Sequence, residues 1–206
     1  MSQQIWLPGA CSVAILCKDG VVLGNDSRNT WGYTVTSKTM KKVFVLTPKI
    51  GLTSSGLVGD FQTLVRIMRA QSNLYEIETG SPITTRAMAK LVANYLYSRK
   101  MAPLFVNTTI AGVDSDGPKL YTMDAIGSLM DDNIGVSGSA MELAVGTLEA
   151  GYSKDMTVKV GKTLVEKAIR VAIGRDALSG DGMDILVITA DGAEETHIDI
   201  SKSAGK

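Results

Sequence analysis

The stretch Ser12-Val13-Ala14-Ile15-Leu16-Cys17-Lys18-Asp19-Gly20-Val21-Val22-Leu23-Gly24-Asn25 decides the fold class. Apolar runs over 12–18 and 21–25 flank an Asp-Gly pair, a strong hairpin signal because the tight turn needs residues that tolerate positive φ. The chain therefore opens on two antiparallel strands. The pattern repeats over 43–46 and 50–55 around Thr47-Pro48-Lys49 and predicts a second antiparallel pair. From Gly59 the period lengthens. Phe61, Leu64, Val65, Met68 and Leu74 recur at helical spacing with Asp60 in the first turn or at the cap, predicting a helix to about Glu78. Gly80-Ser81-Pro82 breaks it, and Thr84 or Thr85 caps a second helix carrying Met88, Leu91, Val92, Tyr95 and Leu96. Strands return over 107–113, 120–124 and 133–136, separated by Asp114-Ser115-Asp116-Gly117 and Gly127. Helical spacing resumes at Met141, Leu143, Ala144 and Leu148, then at Val160, Leu164, Ala168 and Val171. The final strands are expected over 183–189 and 197–200, with Ala190-Asp191-Gly192 between them. Blocks of antiparallel strands alternating with paired helices predict an α+β sandwich: two sheets bury one face on each other, and helices cover the outer faces. No repeat or low-complexity linker divides it, so one domain is expected, with 201–206 as a flexible tail.

Composition narrows the chemistry. The chain has 206 residues, 45% of them apolar, enough for a substantial single core. Its 21 Lys and Arg balance 21 Asp and Glu, so no basic surface for nucleic acid is indicated. No run approaches the roughly 18 apolar residues of a membrane span, and residues 1–9 lack a secretory pattern, so a cytoplasmic protein without a membrane partner is expected. Cys11 and Cys17 fit neither a zinc pair nor a redox pair, and reduced buried thiols are expected. His197 is the single histidine. A histidine-based triad or a multi-histidine metal site would rest on that one residue, so hydrolysis calls for another base. No metal and no cofactor are called for.

Three local patterns lead nowhere. Gly161-Lys162-Thr163 copies the end of a phosphate loop, but Met156 stands where the upstream glycine belongs. Asn25-Asp26-Ser27 and Asn107-Thr108-Thr109 match the glycosylation triplet, which is short and sits in a chain of cytoplasmic character. The ten methionines are sufficiently explained as core filling.

A larger constellation is informative. Cys17-Lys18-Asp19-Gly20-Val21-Val22-Leu23 is followed by Asp26-Ser27-Arg28, Ser37-Lys38, Lys41-Lys42, Gly56, Gly59-Asp60, Asn73-Leu74-Tyr75 and Gly138-Ser139. The series ends in Arg175-Asp176-Ala177-Leu178-Ser179-Gly180-Asp181-Gly182. In this order the segments resemble β-type subunits of the 20S proteasome, archaeal ones in particular, from Gly9 to about Asp191. The resemblance implies the four-layer αββα sandwich of the N-terminal nucleophile hydrolases. It also implies a propeptide ending in glycine and an autolytically exposed threonine whose hydroxyl attacks peptide carbonyls. A free α-amine, with a pKa of ~8, then serves as the base and no histidine is needed.

By this resemblance Lys42 sits beside the nucleophile and assists proton transfer, and Asp26 pairs with Lys42. Ser139, Asp176 and Ser179 orient the amine and a water, the Gly56 N–H is the oxyanion donor, and Arg28 supports the cluster. Asn29, Met40, Ser54 and Val58 surround an uncharged pocket suited to apolar side chains. Taken singly, each residue has an ordinary reading: Asp26 with Arg28 a strand pair, Lys42 a solvated lysine, Ser139 a helix cap.

The departure lies at the nucleophile. Counting back from the hairpin, the threonine position is Ala10, directly after the cleavage-site Gly9, and alanine has no hydroxyl. Cys11 points to the opposite face of its strand and Ser12 lies a pleat further along. Residues 1–9 thus read as a propeptide-like segment that stays attached, and 10–200 as the single domain. Ala10 is either an engineered Thr→Ala change or the mark of a naturally non-catalytic structural β subunit. The retained Asp26, Lys42, Ser139, Asp176 and Ser179 favour the former. The implied partners are α subunits and other β subunits in stacked seven-membered rings. The implied substrate is unfolded polypeptide delivered by an ATPase regulator.

Overall fold

A computed structural model describes residues 9–200 of the chain. The rest of the propeptide-like segment and the 201–206 tail lie outside the described residues. The predicted hairpin is β1 (Ser12–Cys17) and β2 (Gly20–Asp26), paired so that Cys17 faces Gly20 across the two-residue turn Lys18-Asp19. A small hairpin follows, β3 (Asn29–Trp31) and β4 (Thr34–Ser37), which the reading above missed. Its signal is Gly32-Tyr33, with Gly32 at φ 57°, set among threonines rather than apolar residues. Then come β5 (Val43–Thr47), β6 (Ile50–Gly56), α1 (Val58–Thr79) and α2 (Thr85–Ser98). Thr84 caps α2 by accepting from Ala87 N, while Thr85 donates its hydroxyl to Asp114 Oδ1. The remainder is β7 (Val106–Asp114), β8 (Gly117–Met123), β9 (Met130–Asp131), β10 (Ile134–Ser137), α3 (Met141–Gly151), α4 (Val158–Ile173), β11 (Gly182–Thr189) and β12 (Gly192–Asp199).

Two five-stranded antiparallel sheets result, ordered β10-β1-β2-β11-β12 and β5-β6-β7-β8-β9. Between them pack Ala14, Val21, Leu23, Val43, Ala111, Leu120, Leu186 and Ile188. On the outer face of the first sheet Val13, Ile15 and Val22 meet Ala144 and Leu148 of α3 and Val165, Ala168 and Ile169 of α4. On the outer face of the second, Leu52 and Ile110 meet Phe61, Leu64 and Met68 of α1 and Met88, Val92 and Leu96 of α2. The layers are therefore α-β-β-α, as expected. Strands buried on both faces read as continuous apolar runs, which is why β1 and β2 were so legible. Each fully buried aliphatic or aromatic side chain stabilises the stack by about 1.5–3 kcal/mol.

Several details differ from expectation: Leu74 of α1 and Met141 and Leu143 of α3 are exposed rather than part of the buried stripes, and β9 was not expected. The buried stripe of α4 is Gly161, Leu164, Val165, Ala168, Ile169 and Ala172, while Val160 and Val171 are exposed. The helix is turned so that Gly161, where a Cβ would lie 2.6 Å from Cys17 Sγ, meets the sheet. That places Gly161-Lys162-Thr163 inside the helix. Strand β12 begins at Gly192 rather than 197, because Glu194 and Glu195 are tolerated on an exposed edge strand.

Candidate active site

One end of the first sheet gathers residues far apart in sequence. Asp26 ends β2 with no exposed surface, and its carboxylate accepts four hydrogen bonds. Oδ1 takes Cys11 N at 2.9 Å and Lys42 Nζ at 2.7 Å. Oδ2 takes Arg28 N and Gly180 N, both at 3.0 Å. Lys42, 2% exposed, also donates to Arg28 O at 2.8 Å. An ammonium has three N–H groups, so one remains without a partner among the described residues. The lysine expected to be solvated if ordinary is thus an interior ion pair.

Ala10 is fully buried at the entrance to β1. Its N–H donates to Ser139 Oγ at 3.3 Å, and its carbonyl accepts from Ala140 N at 3.2 Å. Ser139 and Ser179 each donate to Asp176 Oδ2 at 2.6 Å. Leu178 N closes on Asp176 Oδ1 at 3.1 Å. The helix cap falls to Ala140, so the Ser139 hydroxyl is free for this network. Gly138, at φ 98°, lets the chain turn against Ala10, since a Cβ there would stand 2.1 Å from Ala10 O. Ala10, Asp26, Lys42, Ser139, Asp176 and Ser179 therefore form one connected cluster, with Arg28 attached through its backbone.

Gly56 ends β6 at φ 123°, where a Cβ would meet Phe105 O at 1.9 Å. With Ser139 it lines a cleft of about 280 Å³ whose walls include Phe105, Asn107, Ala125 and Met141. The four pocket candidates are more dispersed in role. Ser54 is buried, its hydroxyl donating to Asn107 O at 3.1 Å. The Asn29 amide donates to Thr36 Oγ1 at 2.8 Å. Met40 N bonds Ser27 O at 2.9 Å, and Val58 packs partly against the α1–α2 core.

Cys11 lies in the core beneath α3 and α4, and the Ser12 hydroxyl sits 2.9 Å from Thr53 Oγ1 between the sheets. Burial, then the Asp26 charge, pushes the Cys11 thiol far above its ordinary range, and burial with nearby Asp19 pushes Cys17 up to about 12. Neither thiol is expected to react with a disulfide reagent at neutral pH until the protein unfolds, which a thiol titration with and without denaturant checks. An unfolded Cys17 ionises near 9.0 and the folded one near 12. Its contribution to stability is accordingly full below the lower value and lost as pH rises through that window.

Sequence reasoning passed over Asn25, Thr53 and Asp181. Asn25 donates to Thr53 Oγ1 at 3.1 Å and Ser54 O at 3.0 Å, joining the two sheets behind the cluster. Asp181 accepts from Arg28 Nε at 2.8 Å, which holds the guanidinium still more firmly charged. For Asn25 and Thr53, polar positions buried in otherwise apolar strands were the available signal.

A four-layer αββα sandwich with this buried cluster at the head of its first strand places the chain in a known class of fold. Its sequence matches the proteasome subunit family over residues 8–188. Proteasome subunit beta 2 of Caldivirga maquilingensis is 43% identical over 198 residues, covering 96% of this chain and 99% of that protein. Proteasome subunit beta 1 of Hyperthermus butylicus is 45% identical over 181 residues, covering 87% and 89%. Proteasome subunit beta of Methanospirillum hungatei is 40% identical over 196 residues, covering 95% and 94%. The chain belongs to the proteasome subunit family, on its β side, with archaeal homologues. The β family is generally one of threonine proteases that assemble with other subunits into a protein-degrading core. Among the described residues no helix is long and apolar enough to cross a membrane.

Proposed function

We propose that this chain is a 20S proteasome β subunit in which Ala10 occupies the place of the threonine nucleophile, so that it neither cleaves peptides nor releases its own leader. The observation that carries the reading is the hydrogen bond from Ala10 N to Ser139 Oγ. Cleavage of the Gly9–Ala10 bond would turn that same nitrogen into an α-amine already within reach of Ser139 and, through it, Asp176 and Ser179. A threonine hydroxyl at residue 10 would give up its proton to that amine, with a pKa of ~8, as it attacked the carbonyl carbon. Lys42, held by Asp26, would supply positive charge beside the reacting oxygen, and the Gly56 N–H would donate to the oxyanion. Arg28 supports the loop behind them. Asn29, Met40, Ser54 and Val58 are assigned to the uncharged pocket for the residue before the scissile bond. Residues 1–9 are the retained leader, 10–200 the domain and 201–206 a tail.

The partners are α subunits and further β subunits in stacked seven-membered rings in the cytoplasm, fed with unfolded polypeptide by an ATPase regulator. Intact mass of the purified chain is expected to show Met1 to Gly9 still attached, apart from removal of the initiator methionine. A species beginning at Ala10, formed without another protease, overturns the reading. Native mass spectrometry with and without α subunits reads the assembly; a stable monomer indifferent to them counts against the ring.

One observation favours the second account, a natural structural subunit. Asp26 binds three backbone N–H groups besides Lys42, so both residues brace the fold whether or not any chemistry occurs. Their retention therefore does not favour an engineered Ala10.

A further inference from the structure

Among the described residues, Asp181 alone of the non-glycines has positive φ, at 68°. Aspartate tolerates the left-handed region better than most side chains, but it is still uncommon there and persists where surrounding contacts hold it. The contacts here are specific. Asp181 Oδ2 accepts from Arg28 Nε at 2.8 Å, and its backbone carbonyl accepts from Ile200 N at 3.1 Å. The same guanidinium donates through Nη1 to Ala177 O at 3.0 Å. It packs on Gly180, where a Cβ would lie 2.4 Å from the guanidinium carbon. One arginine fork thus grips the 176–182 loop at both 177 and 181. Arg28 N is itself bonded to Asp26, so the grip is referred to the centre of the cluster. The side chains of Arg28 and Asp181 are 24% and 13% exposed, unlike the solvated surface pairs that contribute little.

We propose that Asp181 is a positioning residue: by clamping the Arg28 guanidinium it fixes the loop that presents Asp176 and Ser179 to the nitrogen of residue 10. This rests on the catalytic reading of Asp176 and Ser179 given above. The Ser139 and Ser179 hydroxyls converge on one oxygen of Asp176, and Leu178 N holds the other. Such an arrangement survives only if the loop backbone stays in place. A small loosening of the loop leaves substrate contacts elsewhere intact and misplaces the amine's partners.

The test uses the full chain in assembled particles, with Asp181→Asn removing the charge and Asp181→Gly removing the clamp while relieving the backbone strain. Hydrogen exchange at the Leu178 and Gly180 amides is expected to rise about tenfold in both variants, with β2 and β11 amides unchanged. In the Ala10→Thr background, kcat is expected to fall about tenfold with KM and assembly unchanged, the split a merely structural role would not produce. Parental exchange at 178 and 180 in the glycine variant, or faster exchange with parental kcat, overturns the proposal. An inactive Ala10→Thr parent would instead refute the catalytic reading, and the exchange comparison would still decide the clamp.

Discussion

Ala10→Thr is expected to restore both leader removal and peptidase activity in assembled particles. The side chains proposed to act with it already hold one another: Lys42 on Asp26 at 2.7 Å, residue 10 N on Ser139 at 3.3 Å, and Ser139 and Ser179 on Asp176 at 2.6 Å. On the proposed assignment, the attacking oxygen is what is missing. Nucleophile loss in hydrolases that work as a unit costs on the order of 10⁶ in kcat, and a gain of that order is the expected effect. Ala10→Ser is expected to recover less. Intact mass and fluorogenic peptide turnover check both, with apolar residues preferred before the cleaved bond. A threonine variant that assembles normally yet stays unprocessed and inactive would leave the chain as a structural subunit.

Lys42→Ala is expected to abolish cleavage in the restored enzyme and to weaken the fold even in the Ala10 chain. The lysine and Asp26 are almost wholly buried, so removing the cation strands a carboxylate in the interior. Breaking a buried ion pair from one side costs about 3–5 kcal/mol, a large part of the 5–15 kcal/mol by which a typical domain is stable. The three backbone N–H groups still bonded to Asp26 place the expected loss at the lower end. Thermal denaturation of the Ala10 chain isolates this structural effect from the catalytic one. An unchanged midpoint would contradict the bracing role assigned to the pair.

These two effects meet where sequence and structure were unequally readable. The apolar runs of β1 and β2 follow from local chemistry and the structure reproduces them within a residue, but the turn between them is Lys18-Asp19, with Gly20 already paired, and neither Asp19 nor Gly20 adopts positive φ. The stripe of α4 was misjudged because Val160 and Val171 are as apolar as Leu164; the buried set Gly161, Leu164, Val165, Ala168, Ile169 and Ala172 keeps strict i, i+3/i+4 spacing, opposite Lys162, Glu166 and Arg170, and follows the period more closely. The cluster was legible only through resemblance. Ala10 and Ser139 are 129 residues apart, and Asp26 and Gly180 154 apart. No spacing rule connects such residues, because the sheet order β10-β1-β2-β11 joins them laterally rather than along the chain. Asp181 was hidden for another reason: Ser-Gly-Asp-Gly reads as an ordinary loop until its backbone angle and arginine partner are seen.

The four hydrogen bonds on the Asp26 carboxylate also have a meaning on the timescale of descent. On the proposed assignment, losing the residue 10 hydroxyl leaves every one of those bonds in place, whereas losing Asp26 or Lys42 damages the fold. On that assignment, selection for a sound fold alone is enough to keep Asp26 and Lys42 without any selection for turnover. Threonine and alanine codons differ at a single base, so if Ala10 is natural and the proposed assignment holds, a single base separates this chain from one that carries the nucleophile.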